Sequence, residues 1–188
     1  PAHFDEDSET HLFEAVQLDP SVRNANRLIW TARLALVSAD KGERTFEEAD
    51  QYFAKVMSLM HELDAGSNSL IASEMASLIG LRAKYTKSEE QKKSLIDIIE
   101  QDYSHTYDGS CVLIEERAGE YEPARLLEIA QNMLSSSLEN GNIYDGYNSV
   151  MIAQSQVAPY LDAEQKNQLI DSIVAVVSDE ATHPATGH

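Results

Sequence analysis

Apolar residues recur at helical spacing along most of this chain, and no segment keeps the strict alternation of a half-buried strand. One predicted helix begins with a capping box at Thr45-Phe46-Glu47-Glu48 and carries a single apolar stripe. The stripe consists of Phe46, Ala49, Phe53, Val56, Met57, Met60 and Leu63. Similar segments on either side predict an all-α protein of about eight main helices in pairs.

Two patterns in the chain return at related distances. The stretch 91–99 returns 74 residues later as 165–173, and Tyr107-Asp108-Gly109 returns after 37 residues as Tyr144-Asp145-Gly146. A recurrence near this length is typical of helix-turn-helix units stacked on copies of themselves. The sequence therefore predicts antiparallel helical hairpins stacked as a short right-handed repeat array. An irregular helical bundle is the alternative, because helices of similar length drift near such a period.

Composition divides the chain into three predicted segments. Residues 1–20 form an acidic N-terminal arm with a short helix, and residues 21–178 form the helical-hairpin domain. Residues 179–188 lack apolar content and are predicted to be a flexible C-terminal tail.

The charge of the chain limits its partners. Lys and Arg number 14 against 32 Asp and Glu, which gives a net charge of −18. Direct binding of nucleic acid needs a basic surface, and a negatively charged membrane would repel this chain, so we expect neither partner. A basic protein partner is the better complement. We expect a cytoplasmic location, with a secreted or periplasmic one left open.

No motif for catalysis, cofactor binding or metal binding is present in the sequence. The histidines lack the His-Glu-x-x-His spacing of a zinc site, and neither a Gly-x-Gly-x-x-Gly nor a Walker loop is present. Cys111 begins an apolar stretch and is predicted to be a buried, small apolar residue rather than a nucleophile. We therefore predict a protein that is not an enzyme and has no catalytic residue, cofactor or metal ion. The competing hypothesis is a site assembled from scattered residues on facing helices.

Tyrosine is the commonest aromatic residue, with eight copies. Five of them fall in central loops and helix ends, and we predict that they bind a partner because tyrosine is favoured at interfaces. They are Tyr103, Tyr107, Tyr121, Tyr144 and Tyr147. Stacked hairpins would place Tyr107 and Tyr144 on the same edge. The alternative is that each ring packs over a helix end with its hydroxyl in water.

These observations predict a non-enzymatic protein–protein interaction module, an adaptor or scaffold with an acidic helical surface. The alternative is an acidic chaperone or inhibitor that sequesters a basic partner, one form of which would be mimicry of nucleic-acid charge. Self-association as a homodimer is a further expectation, because an incomplete repeat array leaves an apolar end face to cover.

Overall fold

A computed structural model describes residues 6–64, 67–139 and 143–182, and all regular structure in these residues is helical. The all-α prediction is confirmed. The α-helices of the described residues are α1 (Glu6–Leu18), α2 (Val22–Asp40), α3 (Phe46–Glu62), α4 (Ser69–Tyr85), α5 (Glu89–Ile98), α6 (Tyr107–Arg117), α7 (Pro123–Glu139), α8 (Ile143–Ile152) and α9 (Ala163–Thr182). Of the predicted tail, 179–182 belong to α9 and 183–188 lie outside the described residues.

Short segments of other helical types follow three of these helices. A π-helical turn, Ile99–Tyr103, follows α5, and a second one, Ala153–Val157, follows α8. Each π turn buries its first and last residues. Short 3₁₀ turns occupy Ala118–Glu120 and Ala158–Tyr160. No helix in the described part of the chain is both long enough and apolar enough to cross a membrane.

The first compact unit, Pro1–Lys92, is built around α2, which contacts α1, α3 and α4. One face of α2 is fully buried and supplies much of this core. Its largest members are Leu28, Ile29 and Leu36. Two ion pairs tie the surrounding helices together: Arg33 of α2 lies 2.7 Å from the Glu74 carboxylate of α4, and Arg82 of α4 pairs with Asp50 of α3. The arginines are mostly buried, so these pairs fix helix orientation in a way that exposed pairs do not.

The second compact unit, Lys93–His188, is built around α7, which contacts α6, α8 and α9. Its buried residues include Leu126, Ile129, Ala130 and Met133. The order of neighbours is the same as in the first unit. In both units the central helix, α2 or α7, contacts the helix that precedes it and the two helices that follow it. Each unit thus has a central helix that buries its apolar stripe under three others.

The 74-residue recurrence in the sequence corresponds to two similar helix starts. Gln91 and Gln165 are both the third residue of a helix, and each backbone N–H donates to the side chain of the preceding cap. The caps are Ser88, at 3.3 Å, and Asp162, at 2.9 Å. The shared cap accounts for the recurring glutamine, but the two helices do not bury equivalent residues, because Ile96 is 2 % exposed and Ile170 is 54 % exposed. The right-handed array of stacked hairpins stays a prediction.

Candidate protein-binding surface

Two of the five tyrosines predicted to bind a partner are buried. Tyr103 and Tyr107 are each 8 % exposed. Burial is the main cause that raises the pKa of both phenols, and the nearby Cys111 thiol and Asp145 carboxylate raise the pKa of Tyr107 further. These rings are therefore part of the core of the second unit and do not offer a surface to a partner.

The start of α6 explains why this part of the core is tightly packed. Thr106 is the N-cap: its hydroxyl accepts from the Gly109 N–H at 3.1 Å and donates to the Tyr103 carbonyl at 2.8 Å. The Thr106 N–H donates to the same carbonyl at 3.0 Å. A Cβ on Gly109 would overlap that carbonyl oxygen and lie 2.7 Å from the Thr106 hydroxyl. Glycine is required here by this close approach rather than by an unusual φ angle.

Tyr121 is half-buried beside a charged network. The Arg117 guanidinium, 13 % exposed, donates to Asp97 at 2.6 Å and to Glu100 at 3.0 Å, which links α6 to the end of α5 and the π turn that follows it. Burial, together with the negative charge of Glu100, raises the pKa of Tyr121 to about 12. Tyr121 thus lies beside the charged groups that link these segments.

The remaining two tyrosines are exposed on α8. Tyr144 is 78 % exposed, Tyr147 is 63 % exposed, and Met151 on the same face is 46 % exposed. Residues at i, i+3 and i+7 share one side of a helix, so these three side chains form a continuous stripe about 10 Å long. We call it the α8 stripe.

Small residues on the other side of α8 hold the stripe outward. Gly146 and Ser149 of α8 are buried, as is Ala153, the first residue of the π turn that follows, and α8 packs against α7. The Ser149 hydroxyl donates to the Gly146 carbonyl at 2.7 Å and lies 3.2 Å from the buried Ser137 hydroxyl of α7. Because this pair satisfies its polar atoms internally, α8 can approach α7 closely without leaving unpaired groups. The orientation of the stripe is therefore fixed by the core.

The sequence around the α8 stripe contains no positive side chain. From Leu126 to Gln165 the chain has no Lys, Arg or His, whereas Glu128, Glu139, Asp145, Asp162 and Glu164 are acidic. A stripe of tyrosine and methionine in a segment whose only charged residues are acidic favours a partner that combines apolar and basic groups.

Helix α9 has a second exposed apolar stripe. Ile170, Val174 and Val177 are each more than half exposed, whereas Leu169 and Val176 of the same helix are buried. The helix packs on α7 and contacts α8. It therefore has more apolar surface than its neighbours cover.

The described residues give no support to a cysteine nucleophile or to a metal site of three or more ligands. Burial is the main cause that raises the pKa of the Cys111 thiol to about 12, and negative charge on Asp108 adds to it, so the nucleophilic thiolate is disfavoured. Within 6–64, 67–139 and 143–182, no group of three or more His, Cys, Asp or Glu residues is placed to hold a metal ion.

No family model matches this chain, and neither a curated protein nor a solved structure matches it. Functional inference therefore depends on the chemistry of the exposed surfaces of the two units.

Proposed function

We propose that this protein is a non-enzymatic protein–protein interaction module, an adaptor or scaffold, and that the α8 stripe contacts its partner. The observation that carries the proposal is the exposure of Tyr144, Tyr147 and Met151 on one face of a helix whose other face is fixed on α7. In this proposal the protein works in the cytoplasm and needs no cofactor.

The residue types of the stripe support binding of another polypeptide. Tyr and Met are enriched at protein interfaces, and a tyrosine orders few torsions for the area that it buries. Single exposed apolar residues are normal on protein surfaces, whereas three large ones in line on a helix form a patch that can be desolvated together. The preferred partner is a basic amphipathic segment, because five carboxylates and no cation occur between positions 126 and 165.

The net charge of −18 also supports the second candidate, an acidic chaperone or inhibitor that sequesters a basic protein. The two candidates differ in their dependence on salt. Binding dominated by charge weakens steeply as the screening length falls to a few Å, whereas binding at an apolar stripe persists. Measuring affinity at low salt and at about 0.5 M salt therefore separates them.

Selection of peptides from a random library on the immobilised protein tests the proposal. We expect selected peptides to combine Lys or Arg with apolar residues, and to lose about tenfold or more in affinity for the Tyr144→Ala/Tyr147→Ala variant. The matched control is Leu18→Ala/Tyr160→Ala, which removes two exposed apolar side chains elsewhere. Failure to select any binding peptide, or equal loss of affinity in both variants, would contradict a role for the α8 stripe.

A further inference from the structure

The outer face of α2 differs in charge from the rest of the chain. Residues 20–41 hold four of the 14 Lys and Arg residues and a single carboxylate, that of Asp40. The four cations are Arg23, Arg27, Arg33 and Lys41. The first unit thus has a local basic helix within a protein of net charge −18.

Two of these cations and the only tryptophan lie on the same side of the helix. Arg23, Arg27, Trp30 and Leu34 follow one another at i, i+4, i+7 and i+11, and therefore line one face over about 16 Å. The two arginines are exposed, Trp30 is 58 % exposed and Leu34 is half-buried. We call this set the α2 stripe; exposed Lys41 follows just after the end of the helix.

The α2 stripe is opposite the face that forms the core. Leu28, Ile29, Ala32 and Leu36 are fully buried, and the contacts of α2 with its three neighbours account for that face. Replacing a residue of the α2 stripe therefore changes the surface with little effect on packing.

The arginines of the stripe differ from the structural arginines in their pairing. Arg33 and Arg82 each pair with a carboxylate on another helix, and Arg117 pairs with three carboxylates, the third at 3.9 Å. Within the described part of the chain, the guanidinium groups of Arg23 and Arg27 make no hydrogen bond or ion pair. The protein is rich in carboxylates, yet among the residues that the structure describes no carboxylate pairs with either guanidinium group.

We propose that the outer face of α2 is a docking surface for an acidic peptide segment of a partner protein. Trp30 is the apolar anchor, and Arg23 and Arg27, which both lie on its N-terminal side along α2, bind carboxylates on one side of the anchoring residue of the partner. Tryptophan and arginine are the residue types most enriched among those that dominate binding energy, and a guanidinium group binds a carboxylate with two parallel hydrogen bonds. The surface is independent of the α8 stripe and has the opposite charge preference.

The probe is a synthetic 15-residue peptide in which glutamates flank leucines, compared with the same peptide carrying Lys in place of every Glu. Trp30 is the only tryptophan, so its fluorescence reports on this face alone. We expect the Glu peptide to shift Trp30 emission to the blue and the Lys peptide to leave it unchanged. Anisotropy of the labelled Glu peptide supplies the affinity for variants, including Trp30→Ala, which has no tryptophan emission.

Matched charge reversals distinguish the surface from the net charge. Arg23→Glu/Arg27→Glu should weaken binding of the Glu peptide about tenfold or more, and Trp30→Ala should weaken it severalfold. Lys55→Glu/Lys87→Glu changes the net charge equally at exposed positions of the same unit and should alter affinity less than about twofold. Far-ultraviolet circular dichroism should be the same for all variants, because every replaced side chain is exposed.

Four results would overturn the proposal: no binding of the Glu peptide, equal binding of the Lys peptide, equal loss in the two charge-reversal variants, or tighter binding of a single-stranded thymidine oligonucleotide. A concentration-dependent shift of Trp30 emission in the protein alone would instead identify a second copy of this chain as the occupant, and would overturn the assignment to a separate partner.

Discussion

Replacing Gly109 by alanine is the sharpest test of the packing at the start of α6. The added Cβ would overlap the Tyr103 carbonyl oxygen and lie 2.7 Å from the Thr106 hydroxyl, so either α6 or the preceding π turn must move. Movement breaks the two hydrogen bonds that Thr106 donates to that carbonyl and the bond from the Gly109 N–H to the Thr106 hydroxyl.

The size of the effect follows from these bonds. Loss of an N-cap costs about 1 kcal/mol, and loss of each buried hydrogen bond costs about 1 kcal/mol. Alanine returns about 1 kcal/mol through its higher helix propensity. The net destabilisation is therefore about 2 kcal/mol, equivalent to a fall in melting temperature of about 4–8 °C for a chain of this size.

Urea unfolding followed by circular dichroism measures this change, and Gly119→Ala is the matched control. A Cβ at position 119 would lie 3.5 Å from the Tyr160 hydroxyl, an ordinary contact, so we expect a change within about 0.5 kcal/mol. A Gly109→Ala variant as stable as the wild type would refute the close approach of α6 to Tyr103.

Two further perturbations test other parts of the second unit. Arg117→Ala should lower the free energy of unfolding by about 2 kcal/mol, because Asp97 and Glu100 lose a shared, mostly buried partner. The control is Arg125→Ala, which removes a more exposed arginine paired within α7. It should lower the free energy of unfolding by less than about 0.5 kcal/mol in the same urea titration. Stability should also fall as the pH rises from about 9 to about 12, because the folded state holds the Cys111 proton up to a pKa of about 12 whereas the unfolded thiol loses it near its ordinary value of 9.0. Tyr121 adds to the same fall in stability, because burial raises its pKa to about 12. In Cys111→Ala the decline measured by urea unfolding across this range should be shallower; an identical decline would show that the thiol is not buried as described.

The sequence predicted the helical class and the start of α3 because both depend on local chemistry. The Thr45–Glu48 capping box forms as predicted, with both reciprocal hydrogen bonds present. The pair Asp162 and Gln165 also bonds reciprocally at the start of α9. In such cases neighbouring residues along the chain contain all the information that is needed.

Which side of each helix faces solvent could not be read from the same pattern. Tyr107 and Tyr144 both lie in the first turn of a helix, within matching Tyr-Asp-Gly triplets, yet one is 8 % exposed and the other 78 % exposed. The difference arises because α8 turns its small residues Gly146 and Ser149 toward α7. The small residues Gly146 and Ser149 are the sequence feature that indicates the buried side of α8, because close approach of two helices requires small side chains. The tyrosines alone do not indicate it.

Helix α9 illustrates the same limit. Its apolar residues cover more than one face, and the periodicity alone does not say that Leu169 and Val176 are buried while Ile170 and Val174 are exposed. Only the position of α7 decides this. The net charge of −18 likewise does not indicate the basic face of α2, because it averages over a helix whose local charge is opposite.

Photo-crosslinking from position 147 tests the proposed function most directly. A photoreactive benzoylphenylalanine replaces exposed Tyr147 in one variant and exposed Lys55 in the other, and each protein is irradiated in an extract of its source cells. We predict a discrete crosslinked protein from position 147, absent from position 55 and still formed at about 0.5 M salt. The same products from both positions, or none from position 147, would contradict the proposal that the α8 stripe binds a partner.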